Sequence, residues 1–259
     1  MNQKERREYL IKRLLAEKED YQTIAIPETE REQRVLLRSL LNVREPQAAD
    51  QDFLRVQDEY LRAEIDQKGI TDLADFRPVQ ENIYLWQGDI TTLAADGIVN
   101  AANSRLLGCF VPCHLCIDNA IHTFAGMQLR LACAELMKAQ GGRPEATGQA
   151  KITPAFNLPS QYVLHTVGPI ISGSLSQKDC ELLAACYRSC LELAAEKGLN
   201  SIAFCCISTG EFHFPNDRAA EIAVETVRKF QRETGSRIKV VFNVFKDEDL
   251  AIYSRILRA

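Results

Sequence analysis

The chain has no glycine before Gly69 and no cysteine before Cys109. Glycine is the residue of tight turns and phosphate-cradling loops, so the first 68 positions offer no loop built on it. No apolar run approaches the ~20 residues needed to span a bilayer. The N-terminus, MNQKERREYLIKRLLAEKED, lacks the apolar centre of a signal peptide, and we expect a cytoplasmic protein. An excess of positive charge is missing too: the net charge is −4 and the pI about 5.7. That argues against nucleic acid or an anionic membrane as a partner. The nine cysteines are odd in number, and without a secretion signal they suggest no disulfide framework. A GxxxxGK[ST] phosphate loop is also absent.

What is present falls into two parts. Over residues 1–76, Leu10, Ile11, Leu14 and Leu15 recur at helical spacing, as do Val35, Leu36, Leu37, Leu40 and Leu41. Thr29-x-x-Glu32 is a possible capping box after Pro27, and a further helix over Asp50 to Lys68 should stop at Gly69. These helices are short for independent stability, so the module should pack on the remainder, residues 77–259. There the pattern alternates. Strands are expected at Ile83–Trp86, Gly97–Asn100, Ala150–Ala155, Tyr162–Thr166, Ser201–Ile207 and Ile238–Val244. Helices are expected at Asp118–Gln140, Lys178–Lys197, Asp217–Glu233 and from Asp247. Such alternation predicts a layered α/β domain around a mostly buried sheet.

Chemistry concentrates after the second strand. Cys109-x4-His114-x-Cys116 places three soft ligands in one loop, with Asp118 two residues on and His122 four beyond that. Three ligands leave one tetrahedral position open, which is what a catalytic zinc site needs. Cys113 is either a spare thiol or the fourth ligand of a closed Cys3His site; a loop with no metal is the third option. The remaining six cysteines lie in apolar helix or strand patterns and read as small core residues. Gly88-Asp89-Ile90 follows a strand; the carboxylate could accept from an exocyclic amine such as adenine's, or simply form a turn. Asn100 and Asn103 carry amides suited to ribose hydroxyls, or to turn backbone. Ser208, Thr209, Gly210, Glu211 and Phe212 lie between a strand and a helix start, where backbone N–H groups can meet an anion. His165 reads best as a satisfied core histidine.

The ordered set GDIT, IVNAAN, AIHTFAG, HTVGP and STGEFHFP resembles the macrodomain family over Asn82 to Ala259. Replacement of the family's usual glycine run by Cys-Phe-Val-Pro-Cys-His-Leu-Cys resembles its zinc-dependent branch. The resemblance implies a three-layer α/β/α fold with a mixed sheet, here with an N-terminal helical extension. It implies that Asp89 and Ile90 seat adenine, that Ser208 to Phe212 hold a diphosphate, and that Phe212 lies beside the distal ribose. Asn100 and Asn103 are further ligand contacts, with Asn103 near that ribose. Zn2+ would bind Cys109, His114 and Cys116, with Asp118 and Asn103 catalytic. His213 stands where many relatives carry glycine. The implied activity is hydrolysis of ADP-ribose from a mono-ADP-ribosylated protein, attached through an acidic side chain. The implied partner is a lipoyl-carrier protein modified by a sirtuin-type transferase. A non-catalytic ADP-ribose reader and an O-acetyl-ADP-ribose deacetylase remain alternatives.

Overall fold

The computed structural model describes residues 1–258. Six strands form one sheet: β2 (Ile83–Gln87), β4 (Gly97–Ala101), β5 (Ala150–Pro154), β6 (Tyr162–Thr166), β7 (Ser201–Phe204) and β8 (Lys239–Val244), in the order β2-β8-β7-β4-β6-β5. All neighbours are parallel except the edge strand β5, which runs antiparallel to β6. The sheet is therefore mixed. Its buried strands are near-continuous apolar runs, as a sheet covered on both faces requires.

The register shows what covers each face. Val99, Phe204 and Phe242 are paired across β4, β7 and β8, so their side chains share a face. Phe204 packs at a tilt against Tyr187 of α6 (Gln177–Glu196), and Phe242 against Tyr253 of α8 (Asp247–Arg258). With α7 (Asn216–Thr234) packed between them, these helices form one layer. Asn100 and His165, paired across β4 and β6, point to the opposite face. Asn100 bonds to Asp118 of α4 (Ile117–Ala125), and His165 approaches Cys133 of α5 (Met127–Ala139). Helices thus flank the sheet on both sides, as expected.

The N-terminal module is α1 (Gln3–Leu15), α2 (Glu30–Val43) and α3 (Gln51–Lys68). Thr29 caps α2 by accepting from the Glu32 N–H, and Asp50 caps α3 through the Phe53 N–H. Gly69 ends α3 at φ 88°, a conformation open to glycine at little cost. The module has its own core of Leu10, Leu14, Leu37, Leu40, Phe53 and Tyr60, distinct from the core around the sheet. It lies against α4, and it reaches α5 through Gln57 with Gln128 and Leu41 with Arg130. A short parallel ladder, β1 (Thr71–Asp72) with β3 (Leu93–Ala94), ties its end to the α/β domain.

One expected element divides. The helix anticipated over Asp118–Gln140 breaks at Gly126, where φ is 94°. A Cβ there would sit 2.8 Å from the side chains of Gln57 and Gln128. The break lets α3 approach: Gln57 Oε1 accepts from the Met127 N–H at 3.0 Å. The strand expected to reach Ile207 ends at Phe204, which releases the following residues into a loop.

Candidate functional site

The parallel strands deliver their C-terminal ends to one edge, and a cleft of about 1040 Å³ opens there. Asp89 follows β2, Asn103 follows β4, Gly168 follows β6, Ser208 to Phe212 follow β7, and Phe245 follows β8. Each lines the cleft. So do Cys109, His114, Cys116, Asp118 and Ile90. Asn100 does not. It is fully buried, and its amide donates to Asp118 Oδ1 at 2.8 Å and meets His165 Nδ1 at 3.3 Å. Placed among the ligand contacts by sequence, Asn100 instead reaches the cleft only through Asp118, because strand alternation points it into the sheet–α4 layer.

The metal-type residues converge. Ligand atoms of Cys109, His114 and Cys116 lie within 4.8 Å of one another, and His114 Nδ1 is buried with no hydrogen-bond partner among the described residues. Two thiols and an imidazole suit a zinc ion, which deprotonates the thiols that bind it. Cys113 turns away. Its backbone takes φ 52°, and its sulfur lies 3.3 Å from Ser39 Oγ and 3.5 Å from the Val35 carbonyl. Cys113 therefore stands outside the trio, and the four residues do not converge as a Cys3His set.

Asp118 stands at the start of α4 beside this trio. Asn100 donates to one of its oxygens, and Asn103 donates to the other at 3.2 Å. Burial pushes its carboxyl up to about 6, against those two amides and Arg130. His122, one turn on, has Nε2 3.6 Å from Asp118 Oδ1. Burial holds His122 well below the ordinary histidine range, so it is neutral at pH 7. His165 is likewise buried, pulled down to about 3, and bonded through Nε2 to Thr153 at 2.9 Å.

At the other end, Asp89 caps the short turn Ile90–Thr92. Its Oδ1 accepts from the Thr91 N–H at 3.0 Å and hydroxyl at 2.6 Å, and its Oδ2 from Lys68 Nζ at 2.8 Å. Burial works against its charge, yet Lys68 and Thr91 hold the carboxyl below the usual aspartate range. Between these ends, Ser208 adopts φ 65° and its carbonyl accepts from the Phe214 N–H. The N–H groups of Thr209, Gly210, Glu211 and Phe212 find no backbone carbonyl among the described residues. They are free to meet an anion. Phe212 is half-buried on the cleft wall, whereas Phe214 is the core residue of this segment. His213 has φ 56°, which explains physically why glycine suits that position.

Among the cleft residues that sequence reasoning did not assign to the site, three stand out. Gly168 packs so tightly that a Cβ would lie 2.0 Å from Ser208 Oγ; the HTVGP motif carried that signal. Arg38 and Lys68 come from the N-terminal module, and only the fold brings them in. Lys68 also sits 3.3 Å above the Phe124 ring.

The comparisons agree with this geometry. The model of the Macro domain family matches residues 99–223. The chain is 59% identical over 261 residues to a Treponema medium protein named protein-ADP-ribose hydrolase, covering 99% of this chain and 100% of that protein. It is similar to the Oceanobacillus iheyensis macrodomain with ADP at TM-score 0.64 and 39% identity, over 71% of this chain and 94% of the other. A Trypanosoma brucei macrodomain in complex with ADP-ribose matches at TM-score 0.65 and 31% identity, over 88% and 96%. With its mixed six-stranded sheet, its cleft at the strand ends and these relatives, the chain belongs to the macrodomain family.

Proposed function

We propose that this chain is a zinc-dependent hydrolase that releases ADP-ribose from a mono-ADP-ribosylated protein, cutting the ester to an acidic side chain. The observation that carries the reading is one wall of the cleft. There Asp118, held by Asn100 and Asn103, stands two residues after Cys116, a member of the metal-type trio. The full-length likeness to a protein named protein-ADP-ribose hydrolase points the same way. Asp89 and Ile90 seat the adenine, and the loop Ser208 to Phe212 receives the diphosphate on its free N–H groups. Phe212 and Asn103 flank the distal ribose. Cys109, His114 and Cys116 would hold the zinc, which when bound would supply Lewis acidity to the reaction. Asp118 holds or moves the proton, its carboxyl oriented by the two amides. In this reading the substrate is a lipoyl-carrier protein modified by a sirtuin-type transferase, as in the zinc-dependent branch the sequence resembles.

Single-turnover release from an ADP-ribosylated protein tests this, with calorimetry for binding and zinc content measured alongside. His114→Ala should bind ADP-ribose within about tenfold of wild type, because a group acting in the transition state adds little to ground-state affinity. Its release should slow by at least ~100-fold, roughly 2.7 kcal/mol of transition-state stabilisation. A zinc-free, folded variant that releases at the wild-type rate refutes a catalytic metal. Tight binding with no release by native enzyme makes the chain a reader.

A further inference from the structure

The loop that carries the metal-type ligands does not hold itself. Residues 109–116 contain no helix or strand, and Leu106 and Cys113 sit at positive φ. A loop of this kind keeps a ligating shape only if its backbone groups are tied down from outside. Two sets of ties meet there, one from Asn119 of α4 and one from α2 of the N-terminal module. Arg38 Nη2 donates to the His114 carbonyl at 3.0 Å and to Asn119 Oδ1 at 2.8 Å. Asn42 Oδ1 accepts from the Cys113 N–H at 2.9 Å, while its own amide is anchored on Thr123 at 3.0 Å. Arg38 and Asn42 are four residues apart, so they share one face of α2. Asn119 passes the hold onward: its amide donates to the Val111 and Cys109 carbonyls, and its N–H to Cys116 Sγ. Asn42 and Asn119 are buried, and Arg38 makes no ion pair among the described residues. Its charge is spent on these oxygens.

We propose that Arg38 and Asn42 are positioning residues of the metal centre, and that the N-terminal module thereby governs how firmly the loop keeps its metal. Neither residue is a ligand. The inference rests on the reading that Cys109, His114 and Cys116 hold zinc. It makes the helical extension a working part of the site rather than a cover for apolar surface.

The experiment uses the full-length, zinc-loaded chain and a chromophoric chelator, and it reads the rate of zinc loss together with the melting temperature. Arg38→Met keeps the aliphatic stem and removes the fork; Asn42→Ala removes the Cys113 contact. Outer-shell changes of this kind typically weaken metal binding by ~10–100-fold, so each variant should lose zinc at least ~10 times faster than wild type. Asn42→Asp keeps the accepting oxygen and should fall nearer wild type. The control is Arg7→Met. Arg7 is buried within the module, where it bonds Gln33 and touches no part of the loop. That variant should lower the melting temperature yet lose zinc within about threefold of the wild-type rate, since its effect is on folding alone. The proposal is overturned if Arg38→Met and Asn42→Ala keep the wild-type rate of zinc loss. It is equally overturned if Arg7→Met sheds zinc as fast as they do. If Arg38→Met does not fold, Arg38→Lys and the Asn42 pair carry the test. A wild-type chain that takes up no zinc overturns the metal reading beneath it, a result distinct from zinc that is bound but indifferent to these residues.

Discussion

Replacing Asp89 by asparagine should cost the chain its preference for adenine. Each carboxylate oxygen has two acceptor sites. Both sites on Oδ1 are filled by Thr91, through its N–H and its hydroxyl. On Oδ2 one site takes Lys68 at 2.8 Å, which leaves one for the exocyclic amine of an incoming base. Asparagine keeps the size but lacks the charge, and its NH2 faces the Lys68 ammonium and the amine with a donor instead of an acceptor. Loss of a charge-assisted bond costs about 1.5–3 kcal/mol, or roughly 10- to 150-fold in affinity. Calorimetry with ADP-ribose should show that loss. The more discriminating ligand is inosine diphosphate ribose, whose base has no exocyclic amine. Wild type should favour ADP-ribose by about the same factor, and Asp89→Asn should bind both alike. Lys68→Met should matter less, by under ~1 kcal/mol, because its ion pair is partly exposed. Since Lys68 and Thr91 hold the carboxyl below the usual aspartate range, Asp89 stays charged from about pH 8 to about pH 5, and the wild-type preference for ADP-ribose over inosine diphosphate ribose should be flat over that range. An Asp89→Asn chain that binds within twofold of wild type and still prefers adenine refutes the assignment.

Three further outcomes are expected. Cys116→Ser or His114→Ala should lose most zinc by elemental analysis, whereas Cys113→Ser should keep it, its sulfur being turned toward Ser39; full zinc in the Cys116 variant removes the ligand set. His165 is buried neutral with its pKa near 3, so its contribution is complete above the unfolded value of about 6.5 and is lost as pH falls from there, by ~1.4 kcal/mol per pH unit. Denaturant titrations between about pH 6 and 4 should therefore show His165→Gln with a slope flatter by one proton, and parallel slopes would mean that His165 titrates in the folded state. Gly126→Ala should lower stability by ~1–3 kcal/mol in the same assay, since φ 94° is strained for alanine and the Cβ meets Gln57 and Gln128; an unchanged midpoint would show that the α4–α5 break is pliable.

The parts of this molecule that could be read from sequence are those whose physics is local. Short apolar runs set out the six strands, and Thr29 and Asp50 mark helix starts because each caps through its own side chain three residues on. The metal trio was legible because all its members lie within eight residues. The helix break at Gly126 was not, because a glycine inside an apolar helical pattern carries no local sign that α3 will cross there. Asn100 and Asn103 look alike in NAAN. The strand's two-residue period separates them, sending Asn100 into the layer below the sheet and leaving Asn103 at its exit toward the cleft.

The contribution of the N-terminal module was the least legible of all, and the reason is general. On α2 the apolar positions Leu37 and Leu40 announce a buried face. Arg38 and Asn42 interrupt that pattern and read as solvent-facing residues. Their partners, His114 and Cys113, are 76 and 71 positions away. A polar side chain has no periodic signature that tells a solvated role from a structural one. Only a buried backbone group needing a partner separates the two, and that need exists once the chain is folded. The loop at 109–116 has such groups because it has no secondary structure to satisfy them. An irregular ligand loop therefore has to borrow its order from a neighbouring regular element. In this chain α2 is one such element, bonding the His114 carbonyl and the Cys113 N–H, and these bonds join the helical extension to the α/β domain at that loop.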